Sequence, residues 1–233
     1  MVTNFDVFFI NLDNREDRLF DIKKNLREHK FKNIKKFSAV PHEYGEIGCA
    51  KSHLALLSHI FTKINTDNYV IILEDDYRFN IDEKQLIDAV NKILEEKIQF
   101  DVLQIHVLNP IVTEIGNLQI RSQDISVARV LAGSSTAAYM VSADFIPKLM
   151  NCFSKSVEIL DKNQTHFFNK QLRTVYNHKF AIDNIWRELQ ALYLFVCLDI
   201  KIGQIDSSST SDIKQGNPKE LDVYGSKNLW LKE

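Results

Sequence analysis

The chain is short of the residues that punctuate or cross-link a fold: seven glycines, four prolines and three cysteines in 233 residues. Cys49, Cys152 and Cys197 are odd in number and far apart, which leaves a disulfide framework without a basis. The lack of a CxxC motif or of any evident Cys/His pairing speaks against zinc. No apolar run approaches the roughly 20 residues of a membrane helix. Asn4 and Asp6 interrupt the only stretch near Met1 that could pass for a signal peptide. A net charge of -2 offers no basic excess of the kind nucleic-acid-binding domains carry, so no nucleic-acid partner is expected. These absences leave the expectation of a soluble protein of a reducing, cytoplasmic compartment. Lys23, Lys24, Arg27, Lys30, Lys32, Lys35 and Lys36 form the one basic cluster. Its spacing suits the solvated face of a helix and its following loop, with a peripheral membrane contact as the sharper alternative.

Apolar runs and helical periodicities alternate along the chain. FDVFFINL (residues 5 to 12) reads as a strand, followed by a helix for which Asn14 is a candidate cap. A second helix is expected over 48 to 64, a fully buried strand over 69 to 73, and a capping-box helix from Asp82 and Gln85. Further strands are expected at 101–108, 127–131 and 137–141, and helices at 143–153 and 183–194. Residues 158 to 180 have weak periodicity and read as a long loop or lid. The polar segment from Ser207 onward reads as irregular. Strands alternating with helices predict one α/β domain, with a mostly parallel sheet flanked by helices.

Ligands of such sheets bind outside the carboxyl ends of the strands. There VIILEDD places Glu74, Asp75 and Asp76 side by side. Hard oxygen donors of this kind suit Mn²⁺ or Mg²⁺ bridging to a phosphate. Strand alternation would put Glu74 and Asp76 on one side and Asp75 on the other. An acidic strand exit in solvent is the plainer alternative. At the end of the first strand, Asn11, Asp13, Arg15 and Arg18 leave together at a helix start, which suits an anion. A surface turn neutralised by Glu16 and Asp17 would use the same residues. In GEIGCAKSH, Gly48 permits close backbone approach, and Ser52 and His53 follow one turn later. His53 is either a donor to a phosphate or sugar or a satisfied core residue, and Cys49 reads as a small buried side chain. Asp183 is either an N-cap or a general base. Trp186 is either a stacking face or core.

Taken in order, FFINLDNREDR, GEIGCAKSH, VIILEDD, GSSTAAYMVS and AIDNIW resemble glycosyltransferase family 25, which includes lipooligosaccharide and procollagen galactosyltransferases. The resemblance spans roughly residues 5 to 210. It implies a GT-A-type fold, with a Rossmann-like nucleotide-binding half over about 1–110 and an acceptor-binding half with the tail over about 111–233. It further implies Mn²⁺ (or Mg²⁺) and inverting transfer of galactose or glucose from a UDP-sugar to a glycan or hydroxylated protein side chain. Carried over by position, Asn11, Leu12, Arg15, Arg18, Ser52, His53, Asp75, Ser134, Ser135 and Thr136 would line the nucleotide-sugar site, with Gly48 and Ala138 beside them. Glu74 and Asp76 would hold the metal, and Asp183 would be the catalytic base. Members of this fold often complete the metal site with a C-terminal histidine, and the last histidine here is His178. Asp206, Ser208, Ser209 or Asp212 are the tail's candidate replacements, with Lys214 as an alternative basic group for the diphosphate. A metal-dependent phosphotransferase or nucleotidyltransferase is the alternative reading, although no GxxxxGK[ST] loop is present. An inert nucleotide-sugar-binding module is another.

Overall fold

Alternation along the central strands decides the architecture. In β1 (Asp6–Asn11) and β3 (Tyr69–Glu74), which pair in parallel, Val7, Phe9, Ile71 and Leu73 enter one core. Phe8, Ile10, Val70 and Ile72 enter the other. Both faces are therefore apolar, and each must be covered by helices. The structure, a computed structural model, describes residues 1–63, 69–120, 123–199, 202–206 and 229–230.

The remaining strands are β2 (Asn33–Ser38), β4 (Tyr77–Phe79), β5 (Val102–Gln104), β6 (Leu108–Ile120), β7 (Gln123–Ser134), β8 (Ala138–Ser142), β9 (Phe195–Leu198), β10 (Gly203–Ile205) and β11 (Leu229–Trp230). Nine of the eleven strands among the described residues form one sheet in the order β11-β6-β7-β9-β5-β8-β3-β1-β2, and β10 pairs with β4 in a small second sheet. Every strand of the large sheet except β7 and β8 runs in one direction. The sheet is thus mostly parallel, as expected, and β8 lies antiparallel between β3 and β5.

Helices α1 (Glu16–Glu28) and α3 (Glu83–Glu95) cover the first core with Ile22, Leu26, Leu86, Val90 and Ile93. Helices α2 (Gly45–Lys63) and α4 (Ile146–Asn163) cover the second with Leu56, Leu57, Ile60, Leu149 and Phe153. Each such side chain contributes roughly 1.5–3 kcal/mol on burial. The Asp82–Gln85 capping box forms in full, and Pro147 sits harmlessly in the first turn of α4. Asn14 does not cap α1. The cap position belongs to Arg15, with no side-chain bond.

Residues 158–180 are not a loop. They comprise the end of α4, a short 3₁₀ turn and α5 (Lys170–Phe180), which Asn169 caps at the backbone N–H groups of Gln171 and Leu172. No residue of α5 is fully buried; Tyr176 and Phe180 pack only part-buried against Ile47, Leu160 and Phe167, which leaves a weak apolar signal in its sequence. Polar contacts add to that docking. Arg173 donates to both oxygens of the buried Glu46 at 2.6 and 2.7 Å, and Asn177 donates to the same carboxylate at 3.0 Å. Arg173→Ala is expected to lower stability by about 3 kcal/mol in urea unfolding, because Glu46 is left buried beside a single amide. The expected helix over 183–194 is also different. Two short turns, α6 (Ile182–Ile185) and α7 (Arg187–Gln190), are followed by β9.

Candidate active site

The carboxyl ends of β1 and β3, the β7–β8 turn and α6 meet at one end of the sheet. The acidic run is divided between the two faces. Glu74, the last residue of β3, faces α2, with Oε1 3.5 Å from His53 Nε2 and accepting a 3.1 Å hydrogen bond from Thr136 Oγ1. Asp75 turns towards α1, where its Oδ1 accepts from Arg18 Nη1 at 2.8 Å and its Oδ2 from Asn11 Nδ2 at 2.9 Å. The strand ends at Glu74, so the alternation does not carry through to Asp76. A turn instead brings Asp76 Oδ2 within 3.9 Å of Arg18 Nη1.

Asp76 is the least satisfied acid. Its Oδ1 is buried without a hydrogen-bond partner. Burial, then the charges of Glu74 and Asp75, push its pKa up to about 7, against the pull of Arg18 and Arg78. Burial raises Asp75 too, with Asn11 and Arg18 opposing. Burial also works against ionised Glu74, yet His53 and Thr136 hold its carboxyl below the usual value. An orphaned carboxylate oxygen beside a second carboxylate fits a hard divalent cation, which would supply the missing partner.

Asp183 lies in the first turn of α6 and is not its cap, which is Ala181. Asn184 Nδ2 donates to its Oδ1 at 3.1 Å. Burial, then the charge of Glu74, raises its pKa to about 6. The β7–β8 turn is fixed to the same helices by a buried network. Gly133 N–H donates to Gln190 Oε1 at 2.9 Å, and Gln190 Nε2 and Trp186 Nε1 donate back to the Gly133 carbonyl at 2.9 and 3.2 Å. A side chain at 133 would strike Val107. Trp186 is fully buried and serves the core.

Several expected ligand-binding residues have their polar groups engaged within the protein. Arg15 pairs with Asp17 through two bonds at 3.0 and 2.9 Å. The half-buried Leu12 offers its carbonyl to Arg15 N–H at 2.9 Å. Arg18 is buried against Asp75. Ser52 donates to the Gly48 carbonyl at 2.6 Å and accepts from Val40 N–H at 2.8 Å, tying down the loop before α2. Gly48 does permit a close approach, to Val40 and His42 of that loop. Ser134 Oγ lies 3.5 Å from the Leu108 carbonyl, while Ser135, at the left-handed φ of 91°, bonds His106 Nδ1 at 2.7 Å.

His106 was not singled out in the sequence, although it lies just beyond β5, where a strand end would have drawn notice. Burial lowers its pKa, with Glu74 pulling the other way. The expectation of no Cys/His pairing is also corrected, since Cys49 and His53 stand one turn apart on α2 and gather with Glu74. Among the tail candidates, Asp206 N–H donates to the Asp76 carbonyl at 2.8 Å, and its carboxylate lies 3.5 Å from Arg78. Ser208, Ser209, Asp212 and Lys214 lie outside the described residues.

A family model described as "Glycosyltransferase family 25 (LPS biosynthesis protein)" matches residues 41–164. No curated protein matches the chain. A solved structure, that of the glycosyltransferase GlyE in Streptococcus pneumoniae TIGR4, aligns with 85% of this chain at 10% identity and a TM-score of 0.39. The alignment covers 46% of that protein, so this chain spans less than half its length. Among the described residues, no helix is long and apolar enough to cross a membrane.

Proposed function

We propose, on the premise that the chain belongs to glycosyltransferase family 25, that it moves a hexose from a UDP-sugar to a hydroxyl of a glycan, or of a hydroxylated protein side chain, with inversion. The observation that carries this reading is the acidic strand exit Glu74–Asp76, held from three sides by Asn11, Arg18 and Thr136, with Asp183 of α6 near enough for the charge of Glu74 to raise its pKa. Galactose or glucose is the expected sugar. The family description as an LPS biosynthesis protein favours a glycan acceptor. A GT-A-type division near residue 110 into donor and acceptor halves belongs to the same reading.

Inverting transfer needs an ionised base on the acceptor side and neutralisation of charge on the departing diphosphate. Asp183 is the proposed base. Its desolvated carboxylate is a stronger base than an ordinary aspartate and is still mostly ionised at neutral pH. It accepts the acceptor hydroxyl's proton as that oxygen attacks the anomeric carbon and the bond to UDP breaks. Asp76 and Glu74 would hold Mn²⁺ or Mg²⁺, which when bound supplies electrostatic stabilisation of diphosphate charge. Arg18 and Asn11 act behind them by locking Asp75 and thereby the turn that carries Asp76. Thr136 and Ser135 fix the loop that closes over Glu74.

The test is a panel of nucleotide sugars with Mn²⁺, with products identified by mass spectrometry. One UDP-hexose should be hydrolysed slowly to UDP and transferred on addition of an acceptor glycan. Absence of both binding and turnover across the panel would overturn the proposal.

A further inference from the structure

Cys49 and His53 stand one turn apart on α2, and Glu74 faces them from the end of β3. Their sulfur, nitrogen and oxygen ligand atoms lie within 4.8 Å of one another. His53 is 1% exposed, and its Nδ1 is engaged by Tyr139 Oη at 3.1 Å. Its Nε2 is buried without a hydrogen-bond partner and points at Glu74 Oε1, 3.5 Å away. An imidazole anchored through one nitrogen and presenting the other is how proteins offer histidine to a metal. The surrounding field is favourable as well. Burial first, then the charges of Glu74, Asp183, Asp76 and Glu46, hold the pKa of the Cys49 thiol well above its usual value, and a dication placed there would meet that negative charge.

We propose that Cys49, His53 and Glu74 form a zinc site with its fourth position open. A thiolate, an imidazole and one carboxylate are the donors of a borderline-soft ion, whereas Mn²⁺ and Mg²⁺ prefer oxygen. Bonds of about 2.0–2.3 Å require the three donors to close slightly from their present spacing. The Glu74 carboxylate, 26% exposed, has the freedom to make that movement. Because Glu74 also belongs to the proposed hard-cation site, zinc and Mn²⁺ compete for it, and zinc inhibits transfer. That inhibition rests on the glycosyltransferase reading. The site itself does not.

The experiment is a Co²⁺ titration of the chelator-stripped full chain, followed by displacement with Zn²⁺. One equivalent of Co²⁺ should give a four-coordinate spectrum with a thiolate charge-transfer band, lost on adding one equivalent of Zn²⁺. Cys49→Ser should remove the band and weaken zinc by about 100-fold. Cys152→Ser and Cys197→Ser should leave both unchanged. Tyr139→Phe, which keeps the core filled but releases His53, should weaken zinc by about 10-fold. A six-coordinate Co²⁺ spectrum without a thiolate band in the unmodified protein would overturn the site. So would unchanged zinc affinity in a folded Cys49→Ser. If Cys49→Ser does not fold, the unmodified spectrum and Tyr139→Phe still decide. In the activity arm, zinc should raise the Mn²⁺ concentration needed for UDP-sugar hydrolysis, and bound zinc that does not raise it overturns the competition. A chain that turns over no donor would sink the functional reading while the spectra still judge the site.

Discussion

Asp183→Asn will lower hexose transfer by about a thousand-fold while leaving UDP-sugar binding within a few-fold of the unmodified protein. The amide fills the same volume and keeps its place on α6, but it cannot take a proton. The pH profile is the sharper measurement. A base must be ionised to act, so kcat/KM should rise with pH through the Asp183 pKa, which burial and Glu74 raise to about 6 in the cation-free protein, and then level off. An ordinary aspartate, at 3.8, would place that limb some two units lower. Burial supplies most of the upward shift and the charge of Glu74 the next part. A cation held on Glu74 should therefore move the limb to lower pH. An Asp183→Asn enzyme that still transfers would remove the residue from its role.

The frame of the site could be read from the sequence because its signals are local. VIIL is a continuous apolar run, which a strand buried on both faces requires, and it ends where the carboxylates begin. Glu74, the last residue of the strand, faces α2, and Asp75, the first residue of the turn beyond it, faces α1. Asp76 escaped strand alternation because the strand had already ended. Pairing between distant segments is a different matter. Arg18 read as a phosphate ligand because nothing in its spacing could reveal Asp75, 57 residues away, as its partner. His106 and Tyr139 were invisible for the same reason. Each gains significance only from what the fold sets beside it, Ser135 and Glu74 for one and His53 for the other. Helix α5 was missed for a third reason, since its apolar contacts through Tyr176 and Phe180 are only partly buried and the bond from Arg173 to the distant Glu46 cannot be seen in its spacing.

Asp76→Asn will raise the stability of the cation-free protein at pH 8 and erase its response to Mn²⁺. Without a cation, the Asp76 carboxylate is buried beside Glu74 and Asp75, with one oxygen unpartnered. Its folded-state pKa, about 7, is raised above the ordinary 3.8. Folding therefore favours the protonated form, and stability is lost as pH climbs from about 4 towards 7. Asparagine is neutral throughout and does not suffer this loss. Its melting temperature at pH 8 should exceed that of the unmodified protein by at least about 3 °C, and the gap should narrow towards pH 5. Mn²⁺ should reverse the ranking. A ligand that binds only the folded state at a hundred-fold excess over its Kd adds about 2.7 kcal/mol, and the variant should show none of that gain. The pair of scans separates two roles that activity alone would confuse. A merely structural Asp76 would leave the variant less stable in both conditions, whereas a cation ligand makes it more stable without Mn²⁺ and less stable with it. A variant destabilised in both scans, or one that still gains from Mn²⁺, would take Asp76 out of the cation site.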